Sequence, residues 1–257
     1  MRKITLTAFA AFAITVTGAA ARAAPVAVTF NPGIAVVGAS TFRADKLNLI
    51  DFSRVDLTGN NFSESGFLQV NNASLNNSTF NPTGNRATYS IYLQFTASGT
   101  QTLPNFNGSS TGTINSLNYV LYEAGGASSF GLSAGNQPFV TNAGTTTALA
   151  TGSLIAGTTS FSAVPLGAGA NVDATFAQLL AGFIVSPANT VLTLHGAFNN
   201  NSQLVTVLNG GTSFTLNGGG GDLTFTAASP VPEPASLSLL GAGLVAIGVI
   251  RRRKITS

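Results

Sequence analysis

His195 is the single histidine of the 257-residue chain, so acid–base chemistry that relies on an imidazole near neutral pH has one source. Upstream lie Gly131-Leu132-Ser133-Ala134-Gly135 and Asp173. Ser133, Asp173 and His195 thus follow in the order serine, carboxylate, histidine, which suits a base-activated serine nucleophile in acyl transfer. Such a serine needs a buried strand before it and a helix after it. Ser133 instead follows Gly-Gly-Ala-Ser-Ser-Phe-Gly-Leu and precedes the unhelical Gly-Asn-Gln-Pro. With 29 glycines in the chain the pattern is also cheap, and Gly108-Ser109-Ser110-Thr111-Gly112 repeats it. The expectation is a polar loop serine, a hydrogen-bonded histidine and no catalytic residues.

A second chemistry is cation binding. Arg43, Asp45, Lys46, Asp51, Arg54, Asp56 and Glu64 crowd one segment, and carboxylates are the hard oxygen ligands that Ca²⁺ prefers. The interleaved cations favour ion pairs across a solvated sheet face instead, so no metal site is expected. One histidine and no cysteine leave no multi-histidine or thiolate metal centre. No phosphate-binding loop or paired cysteine is present, and no cofactor is expected. Asn-x-Ser/Thr at Asn61, Asn72, Asn76, Asn77, Asn107 and Asn200 describes an amide-rich surface.

Charge is concentrated at the ends. The net +3 comes from Arg2, Lys3 and Arg22 at one end and Arg251, Arg252, Arg253 and Lys254 at the other. Residues 24 to 230 hold four cations against seven carboxylates, a balance of −3. That excludes a nucleic-acid binder, which needs clustered cations on its folded surface.

Residues 1–23 read as a secretory signal peptide: Arg2 and Lys3, an apolar stretch from Ile4 to about Val16, then small residues. Cleavage is expected after Ala21 or Ala23. Near the other end, Ala235 to Ile250 gives a predominantly apolar run of sixteen residues, roughly 24 Å as helix. With snorkelling cations that length spans a hydrocarbon core, and the basic run stays on the cytoplasmic side. The two prolines of Pro232-Glu233-Pro234 hold the preceding segment extended and accessible.

An exported N-terminus, Val-Pro-Glu-Pro-Ala, a short Leu/Gly/Ala-rich helix and Arg-Arg-Arg-Lys together resemble the PEP-CTERM sorting signal of Gram-negative bacteria. The resemblance covers residues 231 to 254. It implies recognition by an exosortase, a membrane protease, through Pro232, Glu233 and Pro234, with loss of the tail; an uncut single-span anchor is the alternative. The segments TFRADKLNLIDFSRVDLTG, FSESGFLQV, YSIYLQFTASGT and NYVLYEAG look like the flocculation-associated branch of the same group.

These signals must be carried by a folded body. In Tyr89, Ile91, Leu93 and Phe95 apolar residues recur at every second position, the mark of a half-buried strand. Similar strands are expected over 46–57, 66–70, 116–122, 190–195, 204–208, 213–216 and 222–227, with Asn217 to Gly221 as a hairpin connection. Residues 172–184 fit helix and strand equally, and 97–113, 124–137 and 143–163 read as loops. The expected fold is all-β: one β-sandwich-like domain (24–229) between a signal helix (1–23) and a sorting signal (230–254) with a transmembrane helix at 235–250. The expected product is a non-enzymatic bacterial surface or matrix protein. It would pass through the inner membrane, meet an exosortase, and serve biofilm formation, flocculation or exopolysaccharide association. A carbohydrate-binding or adhesive module is the alternative, and a secreted serine hydrolase a further one.

Overall fold

The computed structural model describes residues 24–82, 87–187, 192–201 and 203–227. The expected signal peptide with Ala21 and Ala23, the Pro232-Glu233-Pro234 motif, the expected transmembrane helix and Arg251 to Lys254 lie outside the described residues.

Fifteen strands follow in order: β1 (Val28–Phe30), β2 (Phe42–Ala44), β3 (Lys46–Thr58), β4 (Asn61–Leu75), β5 (Ser78–Phe80), β6 (Tyr89–Gln101), β7 (Ser110–Gly125), β8 (Ser128–Leu132), β9 (Pro138–Asn142), β10 (Thr146–Ala163), β11 (Leu166–Gln178), β12 (Ile184–Ser186), β13 (Leu192–Asn201), β14 (Val205–Leu208) and β15 (Ser213–Ala227). Eight of them, β3, β4, β6, β7, β10, β11, β13 and β15, pair antiparallel in that order, and β15 returns to pair with β3. The ring is closed. The fold is an up-and-down β-barrel, which corrects the sandwich expectation: an all-antiparallel meander whose last strand reaches its first has no second sheet to pack against.

Period-two alternation sorts the side chains. Along β3, Leu47, Leu49, Asp51, Ser53 and Val55 are buried, while Lys46, Asn48, Ile50, Phe52, Arg54 and Asp56 are not. Along β6, Tyr89, Ile91, Leu93 and Phe95 are buried as expected, and the strand continues the row to Ala97. An apolar inside with Lys46, Asn48, Arg54, Gln94 and Thr96 on the outer face is the reverse of a lipid-facing barrel. Among the described residues no helix is long and apolar enough to cross a membrane.

Both mouths are stoppered by aromatic rings. At the mouth marked by Phe225, the small sheet of β12, β1 and β2 contributes Phe30, whose ring centroid lies 5.5 Å from Phe225, 5.0 Å from Phe42 and 5.6 Å from Phe183. At the opposite mouth the β6–β7 loop inserts Phe106, 4.7 Å from Phe161 and 4.5 Å from Phe214. The Phe106 amide donates to the Gly211 carbonyl, which holds the loop across the opening.

Three local expectations change. Residues 213–227 form one strand, β15, rather than two joined by a hairpin. Gly218, at φ +89°, makes a bulge, and Gly219, Gly220 and Gly221 continue the ladder against Asp51, Ile50 and Leu49. A Cβ on Gly219 would sit 2.0 Å from Asn200 Oδ1, so glycine there admits a close neighbour rather than a turn. Of the span 172–184, residues 172–178 belong to strand β11 (166–178), 179–183 form a turn, and β12 starts at Ile184. The low-complexity stretches supply all of β10, the start of β7, the end of β6 and β8. Their weak hydrophobic pattern arises because inward positions must stay small beside large neighbours: a Cβ on Gly157 would lie 2.9 Å from Ile114 Cδ1.

Phe106 is 3% exposed and joins two other rings. Phe106→Ala is therefore expected to cost about 3–5 kcal/mol, read from denaturant unfolding.

Candidate functional site

Barrel closure turns carboxylates of three strands inward and brings two of them, Asp51 and Glu64, to one cavity. Asp51 takes an inward position on β3 beside Leu49 and Ser53, Glu64 on β4 between Phe62 and Leu68, and Glu123 on β7 beyond Tyr119 and Leu121. These are corrections to the solvated-face expectation for Asp51 and Glu64. The signal was present in the alternation itself, since LNLIDFSRV places Asp51 and Ser53 in phase with Leu47, Leu49 and Val55.

Between the two aromatic stoppers, nearer Phe106, the barrel holds a cavity of about 110 Å³. Leu93, Phe95, Val172, Leu194 and Leu223 form its apolar walls, and Asp51, Glu64 and Asn200 give it one polar side. Asp51 is 4% exposed and its Oδ1 has no hydrogen-bond partner; Ser53 Oγ beside it, on a fully buried residue, has none either. Asn200 is held by its side-chain oxygen, which accepts from the Gly220 amide at 2.8 Å, an approach that the missing Cβ of Gly219 permits. Burial, then the charge of Glu64, raises the Asp51 carboxyl well above its ordinary range. Burial pushes Glu64 up to about 7. The polar wall can therefore donate hydrogen bonds when protonated and offer negative charge when a cation arrives.

Glu123 lies outside this cavity, fully buried, with neither carboxylate oxygen partnered. Its carboxyl is pushed up to about 8 by burial, and burial, then the charge of Glu123, raises the neighbouring Tyr89 hydroxyl, itself unpartnered.

On the outer face, ion pairing takes the expected form. Lys46 meets Asp222 across the β3–β15 ladder at 3.1 Å. Arg54 grips Asp56 two residues on, with contacts of 2.7, 2.8 and 3.0 Å, and Ser213 Oγ donates to Asp56 at 2.7 Å. The Arg54 contact holds the Asp56 carboxyl below its usual range. Asp45 accepts the Asn76 amide. Among the described residues no group of three or more His, Cys, Asp or Glu is arranged to hold a metal ion.

His195 and Asp173 are directly opposed across β13 and β11, with Nδ1 and Oδ1 2.7 Å apart on the outer face. Ser133 does not join them. It sits in the β8–β9 hairpin turn, where its amide donates to the Gln137 carbonyl and its Oγ accepts the Gln137 amide, and that hairpin pairs with neither β11 nor β13. The strand–turn–helix setting of a nucleophilic serine is absent at this turn, because β9 rather than a helix follows.

The buried carboxyls link stability to pH. Between pH 4.5, the ordinary glutamate value, and about 8 the folded chain keeps a proton on Glu123 that the unfolded chain has lost. Stability is therefore expected to fall as pH rises through that window, with Glu64 contributing up to about pH 7. Asp56 acts oppositely but only at more acidic pH, below its ordinary 3.8. Glu123→Leu should flatten the thermal-midpoint profile and raise stability at pH 8 by about 1–3 kcal/mol, since it removes an unpaired buried group. A profile unchanged by the substitution would contradict this account.

No curated protein and no solved structure matches the chain. The family models match at the tail, at the residues where the prolines, apolar run and basic cluster converge. The chain carries, at residues 230–254, the PEP-CTERM protein-sorting motif, which addresses it to an exosortase.

Proposed function

We propose that this is a non-enzymatic surface or extracellular-matrix protein whose closed barrel is delivered by exosortase sorting and contributes to biofilm, flocculation or exopolysaccharide association. The sorting motif at 230–254 is the observation that carries the reading. Pro232, Glu233 and Pro234 would be the recognised residues, the apolar run from Ala235 to Ile250 the membrane anchor, and Arg251 to Lys254 the cytoplasmic stop. Export would begin with removal of residues 1–23, after Ala21 or Ala23.

The barrel's construction supports this sequence of events. The ring is complete at Ala227, before the motif begins, so loss of the tail would remove no strand. Pro25 bridges to Thr226 and the Val26 amide donates to the Phe225 carbonyl, so both ends of the body sit at the mouth marked by Phe225. An anchored precursor would thus present the Phe106 mouth away from the bilayer. The outer face, rich in Asn, Ser and Thr, offers neutral hydrogen-bonding groups suited to weak, repeated contact with polysaccharide or with other copies.

A carbohydrate-binding module is the second reading. Phe139 is 40% exposed on β9, beside an outer cluster in which Tyr92 stacks on Tyr122 at 5.5 Å and meets Phe130 at 5.4 Å. Phe139 is the exposed ring of this group and the one that would stack on a sugar face, since Tyr92 is itself buried.

Replacing Pro232-Glu233-Pro234 by three alanines is expected to leave a longer, membrane-retained form, while the parent appears in a shorter form at the surface or in the medium. Intact-mass measurement of both forms locates each terminus. Equal mass and equal location for parent and variant would remove exosortase sorting from the proposal.

A further inference from the structure

Among the described residues that line the barrel cavity, the titratable groups are Asp51 from β3, Glu64 from β4 and Tyr119 from β7. None is a lysine, arginine or histidine. The nearby cations are turned elsewhere: Lys46 and Arg54 lie in the opposite phase of β3, committed to Asp222 and Asp56 on the outer face. His195 likewise points outward to Asp173, while its neighbours Leu194 and Gly196 line the cavity. The Tyr119 hydroxyl is already engaged, donating to the Thr175 carbonyl at 2.7 Å. Two carboxyls thus share an apolar chamber with no counter-charge from the protein around them.

Asp51 Oδ1 on the chamber wall is buried without a hydrogen-bond partner, whereas buried polar groups in folded proteins are nearly always paired. The rest of the chamber is built to stay open. Small residues, Ala170, Ala174 and Gly196, face Leu93 and Phe95 across the barrel, and Ala170 keeps part of its surface uncovered although its side chain is inward. The volume of about 110 Å³ approaches the ~150 Å³ of an engineered apolar cavity that admits benzene. Small eight-stranded barrels of this kind hold single small ligands.

We propose that the barrel cavity is a binding site for a small organic amine, a short branched alkyl body smaller than benzene carrying one ammonium group that pairs with Asp51 and Glu64. The apolar body would cover Leu93, Phe95 and Leu223, and the ammonium would supply the donors that Asp51 Oδ1 lacks. Three N–H donors suit a wall of carboxylate acceptors. Charge pairing within an apolar chamber is stronger than the same pairing at the surface. Entry would be by the Phe106 mouth, which is closed by one loop rather than by a sheet.

The test uses the purified full chain in lipid nanodiscs, titrated calorimetrically with isobutylammonium and isobutyl alcohol, with empty nanodiscs as the blank. Saturable binding of isobutylammonium, at least tenfold tighter than of isobutyl alcohol, is expected. Its affinity should rise between pH 5 and pH 8, because Glu64, pushed up to about 7, must lose its proton to pair with the cation; Tyr119 does not ionise in that range. Glu64→Gln should cut isobutylammonium affinity at least tenfold and leave isobutyl alcohol unchanged. Ala170→Leu, which fills the chamber with an apolar side chain and keeps both carboxyls, should abolish binding of both; it decides the matter if the glutamine variant fails to fold. No saturable isobutylammonium binding, binding no tighter than that of the alcohol, or binding unaffected by Ala170→Leu would overturn the proposal. Each of these outcomes is independent of whether Pro232-Glu233-Pro234 directs sorting.

Discussion

The pairing of β15 with β3 is the constraint on which the rest depends. Thr224 opposes Lys46 and Ser213 opposes Asp56 along this ladder, joining segments more than 150 residues apart in the chain. Without it the meander would be an open sheet with two long edges and an uncovered apolar face. With it, every barrel strand has two neighbours and the inward rows become a core. β15 also carries the bulge at Gly218 and the three glycines that follow, so its closing role is bound up with Asn200 and Phe198, whose side chains occupy the space a Cβ would need. Closure also delimits the amount of interior to be filled. Aromatic rings occupy both ends, and the small residues of β11 and β13 leave the space between them open.

Closure gives the same residue type two different chemistries. On the outer face Asp56 and Asp222 sit in water beside Arg54 and Lys46, where pairing is worth little and costs little. One residue out of phase, Asp51 is sealed among Leu49, Ser53 and Val55. A carboxylate there loses its hydration without gaining a cation, so protonation is the cheaper state. Glu123 is the more extreme case, with neither oxygen partnered. A chain optimised for stability alone would place apolar residues at these positions. Asp51 and Glu64 face a cavity whereas Glu123 does not, which separates a chemical role from a simple burden on stability.

The sorting motif and the barrel are organised so that neither needs the other to be intact. All eight ring strands precede residue 228, and the motif begins at residue 230. Because Val26 is hydrogen-bonded to Phe225, the two ends of the body emerge together at the mouth sealed by β1, β2 and β12. The cavity lies toward the other mouth. The end of the body that leads to the motif and the mouth nearer the cavity are thereby spatially separate.

What the sequence by itself determined is what can be read from a short linear segment. The sorting motif is of this kind, because Pro-Glu-Pro, an apolar run and a basic cluster follow one another in series along the chain. The strands with strict alternation, such as 46–57 and 89–95, are also of this kind, since period two is a property of the extended backbone. Strands rich in Thr, Ser and Gly, such as β10, were illegible because their inward residues are sized to neighbours that no local pattern reveals. Only the tertiary structure decided that the sheet closes, that Asp173 meets His195 while Ser133 does not, and that Asp51, Glu64 and Glu123 face inward without cations. Those outcomes depend on which strands lie opposite one another around a ring. Burial and the electrostatics that follow from it are properties of the enclosure, not of any one strand.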